Sequence, residues 1–449
     1  MCESDGQPDQ TDRPIAIVES EADPASVHIC DHLRDLADWE THRDPDRSSA
    51  EGGGTWYRTD GFELRSFADL HLDLSKPAAA FSTEPPLLVF ASRHSGETGP
   101  LLTGHFTGNV GPAEYGGADA TLAPACPNAL AVLRAAFETH APAGYDVGIE
   151  CTHHGPTDVG CPSLFAELGS DEAQWNDSAG ARAVAKAILD LRGVSAHRDH
   201  QVVGIGGGHY APRFDRILTE TPWAVGHVLA DWGLESAENL EAVLSQAFSA
   251  SGTDLAVLTG ERADLSAAIE SLGYRVVSET WLRTVGDRPR TLCDATERDL
   301  GPVADGIRFG AVRDESFSIA SVPTALVDEA AGIDAEATLA AVADRTVAYE
   351  TAEGGTRVGE RVAIADEDAL DRIVAALCDV LCRKYESVTV EADAVIVEEH
   401  AFDPERAREL GVSDGPAFGR LTAGESVTVD GERIEPAQVH VERTRRFSL

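Results

Sequence analysis

Apolar positions along the chain fall into short runs that end, again and again, in polar or glycine-rich stretches. PIAIVES (14–20) reads as a buried strand, VHICDHLRDLADW (27–39) as a helix, and PPLLVFASRHSG (85–96) as a buried strand running into a polar end. Between them, THRDPDRSSAEGGG (41–54) is a breaker-rich loop and WYRTDGFELRSF gives short strands around a turn. CPNALAVLRAAFETH (126–140) predicts a helix, and YDVGIE (145–150) and LFAELG (164–169) predict strands. Residues 170–193 predict one helix with Ser170 at its N-cap and an apolar stripe of Ala181, Ala185, Ile188 and Leu189. QVVGIGGGHYAPRF (201–214) is a strand followed by a glycine turn, and WAVGHVLADW and ENLEAVLSQAF read as helical. DLAVLTG, ADLSAAIESLG and YRVVSE form a strand–helix–strand unit.

Through residue 280 the pattern is α/β. The texture changes near 288, where periodicity weakens and histidine almost disappears. Residues 366–382 read as a helix, YESVTVEADAVIVEEH as two strands, and the tail as turn-rich and β-like, an α+β extension. The expected organisation is a flexible N-terminus over 1–13, a catalytic region over 14–288 and an accessory domain over 289–449.

Composition narrows the setting. The chain has 449 residues, 43% of them hydrophobic, enough for a large core. No run of eighteen apolar residues and no signal-peptide pattern is present, so a soluble, cytoplasmic protein is expected, with no membrane partner. There are 77 acids against 36 bases, a formal charge of -41, and Lys76, Lys186 and Lys384 are the only lysines. Acids spread through the whole chain fit a protein kept soluble in concentrated salt, as in salt-accumulating archaea, where repulsion is screened. That balance predicts no bulk basic groove and no DNA partner, and leaves phosphate contacts to local arginines. The eight cysteines contain no CxxC pair and read as buried thiols.

Chemistry gathers at the polar ends of strands, where ligands of α/β folds collect. His94 lies in ASRHSGETGP, His105 in LLTGHFTGN, Glu150 with His153 and His154 in GIECTHHGP, Glu167 in LFAELG, and His209 after three glycines. Imidazoles and carboxylates are what zinc takes as ligands, and a zinc ion with one open position activates water against a carbonyl. No HExxH, zinc-finger, GxSxG, GxGxxG or P-loop pattern occurs. Gly206, Gly207 and Gly208 form a turn that approaches a ligand or simply carries His209. Thr107 and Asn109 either donate to a substrate or satisfy strand ends.

SRHSGETGPLLTGHFTGN, GIECTHHGPTD, FAELGSDEAQW and GIGGGHYAPRF, in this order, resemble the archaeal and plant type of D-aminoacyl-tRNA deacylase over roughly residues 14–288. CTHHGP stands where the family pattern has ATHHGP. The resemblance implies a central mixed sheet flanked by helices, similar to peptidyl-tRNA hydrolase and purine phosphorylase folds. It implies zinc, two ions per chain, and hydrolysis of the ester between a D-amino acid and the 3′-terminal ribose of tRNA. Carried onto this chain, the pattern falls on His94, His105, Glu150, His153, His154, Glu167, His209 and Tyr210, with His227 in a weaker fifth stretch. The region after 288 exceeds the family's usual length.

The expected ligands are His94, His105, His153 and Glu150. Glu150 or Glu167 takes the water's proton or binds metal, and His154 or His209 is the general acid. Gly206, Gly207, Gly208, Tyr210, Thr107 and Asn109 are expected at the substrate. A monomer acting on D-aminoacyl-tRNA is expected. The alternatives are a zinc amidase or esterase on small substrates, a noncatalytic tRNA-binding protein, or a phosphorylase-like nucleoside enzyme.

Overall fold

The computed structural model describes residues 13–449, so the flexible stretch expected over 1–13 lies, but for Arg13, outside the described residues. The chain divides into two compact units at Asp287/Arg288.

The first unit begins with β1 (Ile15–Ser20), every residue of it buried, and α1 (Pro24–Leu36). Asp23 caps α1, its Oδ1 accepting from Ala25 N and Ser26 N. Next come β2 (Glu40–Asp44), β3 (Gly54–Thr59), β4 (Phe62–Phe67), β5 (Leu88–Arg93), β6 (Leu101–His105), and the two-residue strands β7 (Gly108–Asn109) and β8 (Thr121–Leu122). They are followed by α2 (Pro127–His140), β9 (Asp146–Ile149) and β10 (Ser163–Gly169). Eight of these strands form one mixed sheet in the order β2-β3-β4-β1-β5-β10-β6-β9. β5 and β6 are therefore not a hairpin; β10 inserts between them, parallel to β5 and antiparallel to β6.

Alternation along the central strands sorts their side chains. Leu164, Ala166 and Leu168 of β10 point to the helices, whereas Phe165 and Glu167 point to the opposite face. There Phe165 stacks on Phe90 at 4.7 Å in a core that includes Ala16, Val18, Phe81 and Val159. The register sets His105 opposite Phe165 and Thr103 opposite Glu167, so these four share that face.

A second, four-stranded parallel sheet has the order β12-β11-β13-β14. It follows α3 (Glu172–Trp175) and α4 (Ser178–Leu189), and consists of β11 (Gln201–Ile205), β12 (Ala224–Leu229), β13 (Leu255–Leu258) and β14 (Arg275–Val276). The stretch after β9 joins the two sheets. Glu150 N donates to Gly104 O in the large sheet, whereas Cys151 N donates to His209 O and Thr152 N to Val228 O in the small one.

Three elements differ from expectation. WAVGHVLADW is not helical: Ala224–Leu229 is a strand buried at every residue. A short continuous apolar run has no period that separates strand from helix, and here parallel pairing to β11 decides it. The helix expected over 170–193 is two, because Asp171 and Asp177 each cap a new start. Ser170 donates its hydroxyl to Gly99 O instead. Glu40–Asp44, partly inside the expected loop, pairs along the sheet edge as an exposed polar strand.

The second unit is α+β. An antiparallel four-stranded sheet (Arg308–Phe309, Ala348–Ala352, Arg357–Ile364, Ser318–Ser321) packs with helices Thr324–Ile333, Ala335–Ala343 and Ala369–Leu381 around Leu326, Val362, Ile373 and Leu377. Ser387–Val390 and Ala394–Phe402, the two expected strands, pair with each other, and His440–Ser448 completes their sheet. The tail is not wholly β-like, since Pro416–Thr422 is a helix. Among the described residues no helix is long and apolar enough to cross a membrane.

Phe90 is fully buried on the central face, so Phe90→Ala should cost about 3–5 kcal/mol. Denaturant melts at fixed high salt check this; a loss below about 1 kcal/mol would show that the central face is not tightly packed.

Candidate active site

Five chain segments end at one place. His94 follows β5, His105 closes β6, Glu167 lies within β10, Glu150, His153 and His154 follow β9, and His209 follows β11 on the small sheet. Six of the seven groups fall into two adjoining sets, and His209 bonds to the second through Glu150.

The first set is His105, His153 and His154. Each ring's Nδ1 lies on a main-chain carbonyl: His105 on Phe106 O at 3.0 Å, His153 on Cys151 O at 2.8 Å, and His154 on Gly155 O at 2.8 Å. A carbonyl only accepts, so each Nδ1 carries the proton, and in a neutral ring Nε2 then holds the lone pair. The rings lie 4.4 to 4.6 Å apart, centroid to centroid. Phe165 stacks on His105 and meets His154 edge-on, fixing both planes.

The second set is His94, Glu150 and Glu167. His94 Nδ1 is 3.2 Å from Glu150 Oε1 and 3.6 Å from Glu167 Oε2. Glu150 Oε2 accepts from His209 Nε2 at 2.7 Å. In each set the donor atoms lie within 4.8 Å of one another. His105 Nε2, 3.5 Å from Glu167 Oε1, and Glu150 Oε1 are buried without hydrogen-bond partners. Buried polar atoms rarely stay unpaired, and these two face other donors of the cluster.

Burial decides the charge states of the first set unevenly. It pushes His153 far down and His154 down to about 4, assisted in both by neighbouring His105, so both rings are neutral. It also pulls on His105 and His94, but the carboxylates beside them outweigh it and both rings end above their ordinary value. Burial alone would raise Glu167; His105 and His94 hold it well below the carboxylate range instead.

The set opens into a cavity of about 450 Å³ whose walls include Asp23, His71, Arg93, Tyr115, Phe165 and His209. Tyr210 stands at its edge, its hydroxyl 3.4 Å from His94 Nε2. Thr107, Asn109, Gly206 and Gly207, also expected at the substrate, have polar groups bonded within the fold. Thr107 is buried against Ser163 Oγ, and Asn109 Nδ2 donates to Gly116 O and Ala118 O. Gly206 N donates to Leu229 O and Gly207 N to Asp231 Oδ2, so those amides are not available to an anion. Both take the left-handed conformation, with φ of +91° and +92°, which makes the turn that presents His209. His227 is buried between Thr152 Oγ1 and Ala123 O, away from the cluster. Cys151 is buried and pushed up to about 12, which keeps its thiol protonated.

A family model described as D-aminoacyl-tRNA deacylase matches residues 81–277, which hold all seven groups. The D-aminoacyl-tRNA deacylase of Natronomonas pharaonis is 55% identical over 97% of this chain and 100% of its own length. The chain belongs to the D-aminoacyl-tRNA deacylase family. It is therefore an enzyme, a hydrolase. Relatives of the same description from Halorubrum lacusprofundi and Haloarcula marismortui are 52% and 47% identical, each over 97% of this chain. A crystal structure of a conserved protein of unknown function, AF0625, aligns with a TM-score of 0.55 at 29% identity, over 60% of this chain and 97% of that one. The region after 288 was expected to exceed the family's length. The Natronomonas relative, matched over its whole length, spans this region as well, whereas 97% of the AF0625 protein aligns with 60% of this chain.

Sequence patterns missed Asp23, His71, Arg93 and Tyr115 in the cavity wall. Asp23 is visible only as a helix cap before Pro24, and His71 sits in DLHLDL without any metal-ligand spacing. His71 is buried between Phe90 and Phe165, with Nε2 unpartnered.

Burial lowers His227 from 6.5 to about 4. Below 6.5 the unfolded chain takes up a proton that the folded one refuses, so stability falls as pH drops from 6.5 to about 4. The full loss is on the order of 3 kcal/mol. His227→Gln should flatten that part of the stability–pH curve in denaturant melts; an unchanged slope would assign it to other groups.

Proposed function

We propose that this deacylase hydrolyses the ester joining a D-amino acid to the 3′-terminal ribose of tRNA, with zinc held by the imidazole–carboxylate cluster. The observation that carries the metal is the gathering of three imidazoles, one ligand atom of each within 4.8 Å of the others, with every ring tied back by its Nδ1. Neutral imidazoles fixed in this way by outer hydrogen bonds are suited to Zn2+. His105, His153 and His154 would hold one ion, and His94, Glu150 and Glu167 a second. When bound, zinc supplies a Lewis acid for the ester carbonyl and lowers the pKa of water.

The remaining work belongs to side chains. Glu150 divides its two oxygens, Oε1 toward His94 and Oε2 toward His209. Water adds its oxygen to the acyl carbon and the bond to the ribose oxygen breaks. His209, on the cavity wall, takes the water's proton at Nδ1 and returns it to that departing oxygen, while Glu150 Oε2 orients the ring through its bond to Nε2. Tyr210 and His94 close the side of the cavity next to the carboxylates.

His153→Ala and His154→Ala should each lower D-aminoacyl-tRNA hydrolysis by at least about 100-fold, the upper end of the cost of losing a ligand's supporting partner, with the fold retained. Chelation should abolish turnover and zinc restore it. Full activity in stripped protein would leave the histidines as ordinary acid–base groups. A panel of D-aminoacyl-tRNA, small D-amino acid esters and peptides should show preference for the tRNA ester; equal or better turnover of the small substrates favours a general esterase or amidase.

A further inference from the structure

Arg93 and Tyr115 lie on the wall of the same cavity and have no role in the chemistry above. In a chain with 77 acids against 36 bases, sheltered guanidinium groups are neutralised by acids: Arg34 by Glu19, Arg65 by Glu63, Arg134 by Asp215. Arg93 is not. Among the described residues its guanidinium makes no ion pair and no hydrogen bond; it lies over the Trp175 ring, 5.2 Å from the centroid. Trp175 is itself pinned, its Nε1 donating to His94 O. The acids beside it are already compensated. Asp23 accepts from the amides of Ala25, Ser26 and Arg93, and Glu167 faces His94 and His105. A half-buried cation stacked on indole, with its five donors uncommitted, is built to receive an anion that enters the cavity.

Tyr115 is the complement. It is 62% exposed, an uneconomical place for a large aromatic unless something covers it. Its backbone is rigid. Gly155 N donates to Tyr115 O at 3.1 Å, Asn109 holds Gly116 O and Ala118 O, and Ala118 N donates to Thr157 Oγ1 at 3.0 Å. Contact with the histidine segment is so close that a Cβ on Gly155 would lie 2.6 Å from Gly116 C. The loop thus holds Tyr115 on the cavity wall that also carries His94, His153 and His154.

We propose that Tyr115 stacks a base, and Arg93 on Trp175 binds a backbone phosphate, of the single-stranded 3′ end of RNA that carries the ester; this rests on the function proposed above. An aromatic platform beside a phosphate-binding cation is how single strands are held without a broad basic groove. The two contacts set the terminal ribose between them and His209.

The test uses the full chain and an uncharged RNA oligonucleotide ending in unpaired CCA with a free 3′-hydroxyl, its binding followed by fluorescence anisotropy across a salt series. Arg93→Gln should weaken binding about 10-fold and make the slope of log K against log salt shallower by about 0.7, the loss of one phosphate contact. Arg93→Lys should keep the slope. Tyr115→Leu should weaken binding about 10-fold with the slope unchanged, and Tyr115→Trp should restore it. Wild-type slope and affinity in Arg93→Gln, or in Tyr115→Leu, overturns the proposal. So does a wild-type chain that turns over D-aminoacyl-tRNA yet ignores the oligonucleotide, and in that case the hydrolytic function stands. Weakened binding in both variants, with no hydrolysis by the wild type, supports this contact and removes the hydrolytic function.

Discussion

The hydrogen bonds from three imidazole Nδ1 atoms to main-chain carbonyls are the constraint on which the site depends. Without them each ring would be free to rotate. With them the rings keep fixed planes inside a buried wall, where neutral His153 and His154 hold a lone pair on Nε2 and His105 Nε2 faces Glu167. The acceptors are the chain's own neighbours, Phe106, Cys151 and Gly155, so ring geometry follows directly from the path of the backbone. That path in turn needs β10 between β5 and β6, since Phe165 and Glu167 can reach His105 only from there. Local pairing, sheet order and ligand geometry are thus one requirement seen at three scales.

Much of this was legible in the sequence. Strands that end in His94, Glu150 and His209 follow from apolar runs meeting glycine or proline, and the α/β class follows from their alternation with helices. What escaped was decided by distance along the chain. Thr107 and Asn109 have hydroxyl and amide groups suited to a ligand, but their partners are Ser163, Gly116 and Ala118, and no local pattern announces them. Residues 224–229 carry no usable period because every position is buried. Arg93 and Tyr115 stand apart in sequence and are joined only by the folded cavity. No basic run with interleaved aromatics marks the pair, because Arg93 closes a strand and Tyr115 lies on a separate loop.

The extreme acidity shapes how a nucleic acid can be met at all. At molar salt the screening length falls to about 3 Å, so a spread of lysines on the surface would contribute little at a distance. Contacts at van der Waals range keep their value: a ring under a base, a guanidinium on a phosphate out of bulk solvent. The chain is correspondingly poor in lysine and places its arginines in paired or sheltered positions. In the proposed contact, short-range fit takes the place of electrostatic guidance.

The crossing of residues 150–152 from the large sheet to the small one has a mechanical meaning. The peptide that carries Glu150, Cys151 and Thr152 is stitched to Gly104 on one side and to His209 and Val228 on the other. Any occupant that grips Glu150 and His209 together acts as a rivet through two plates. Shearing one plate past the other must first dislodge it, and an empty hole offers no such resistance. An occupant bound there would therefore brace both sheets of the first unit together, including strands that it never touches.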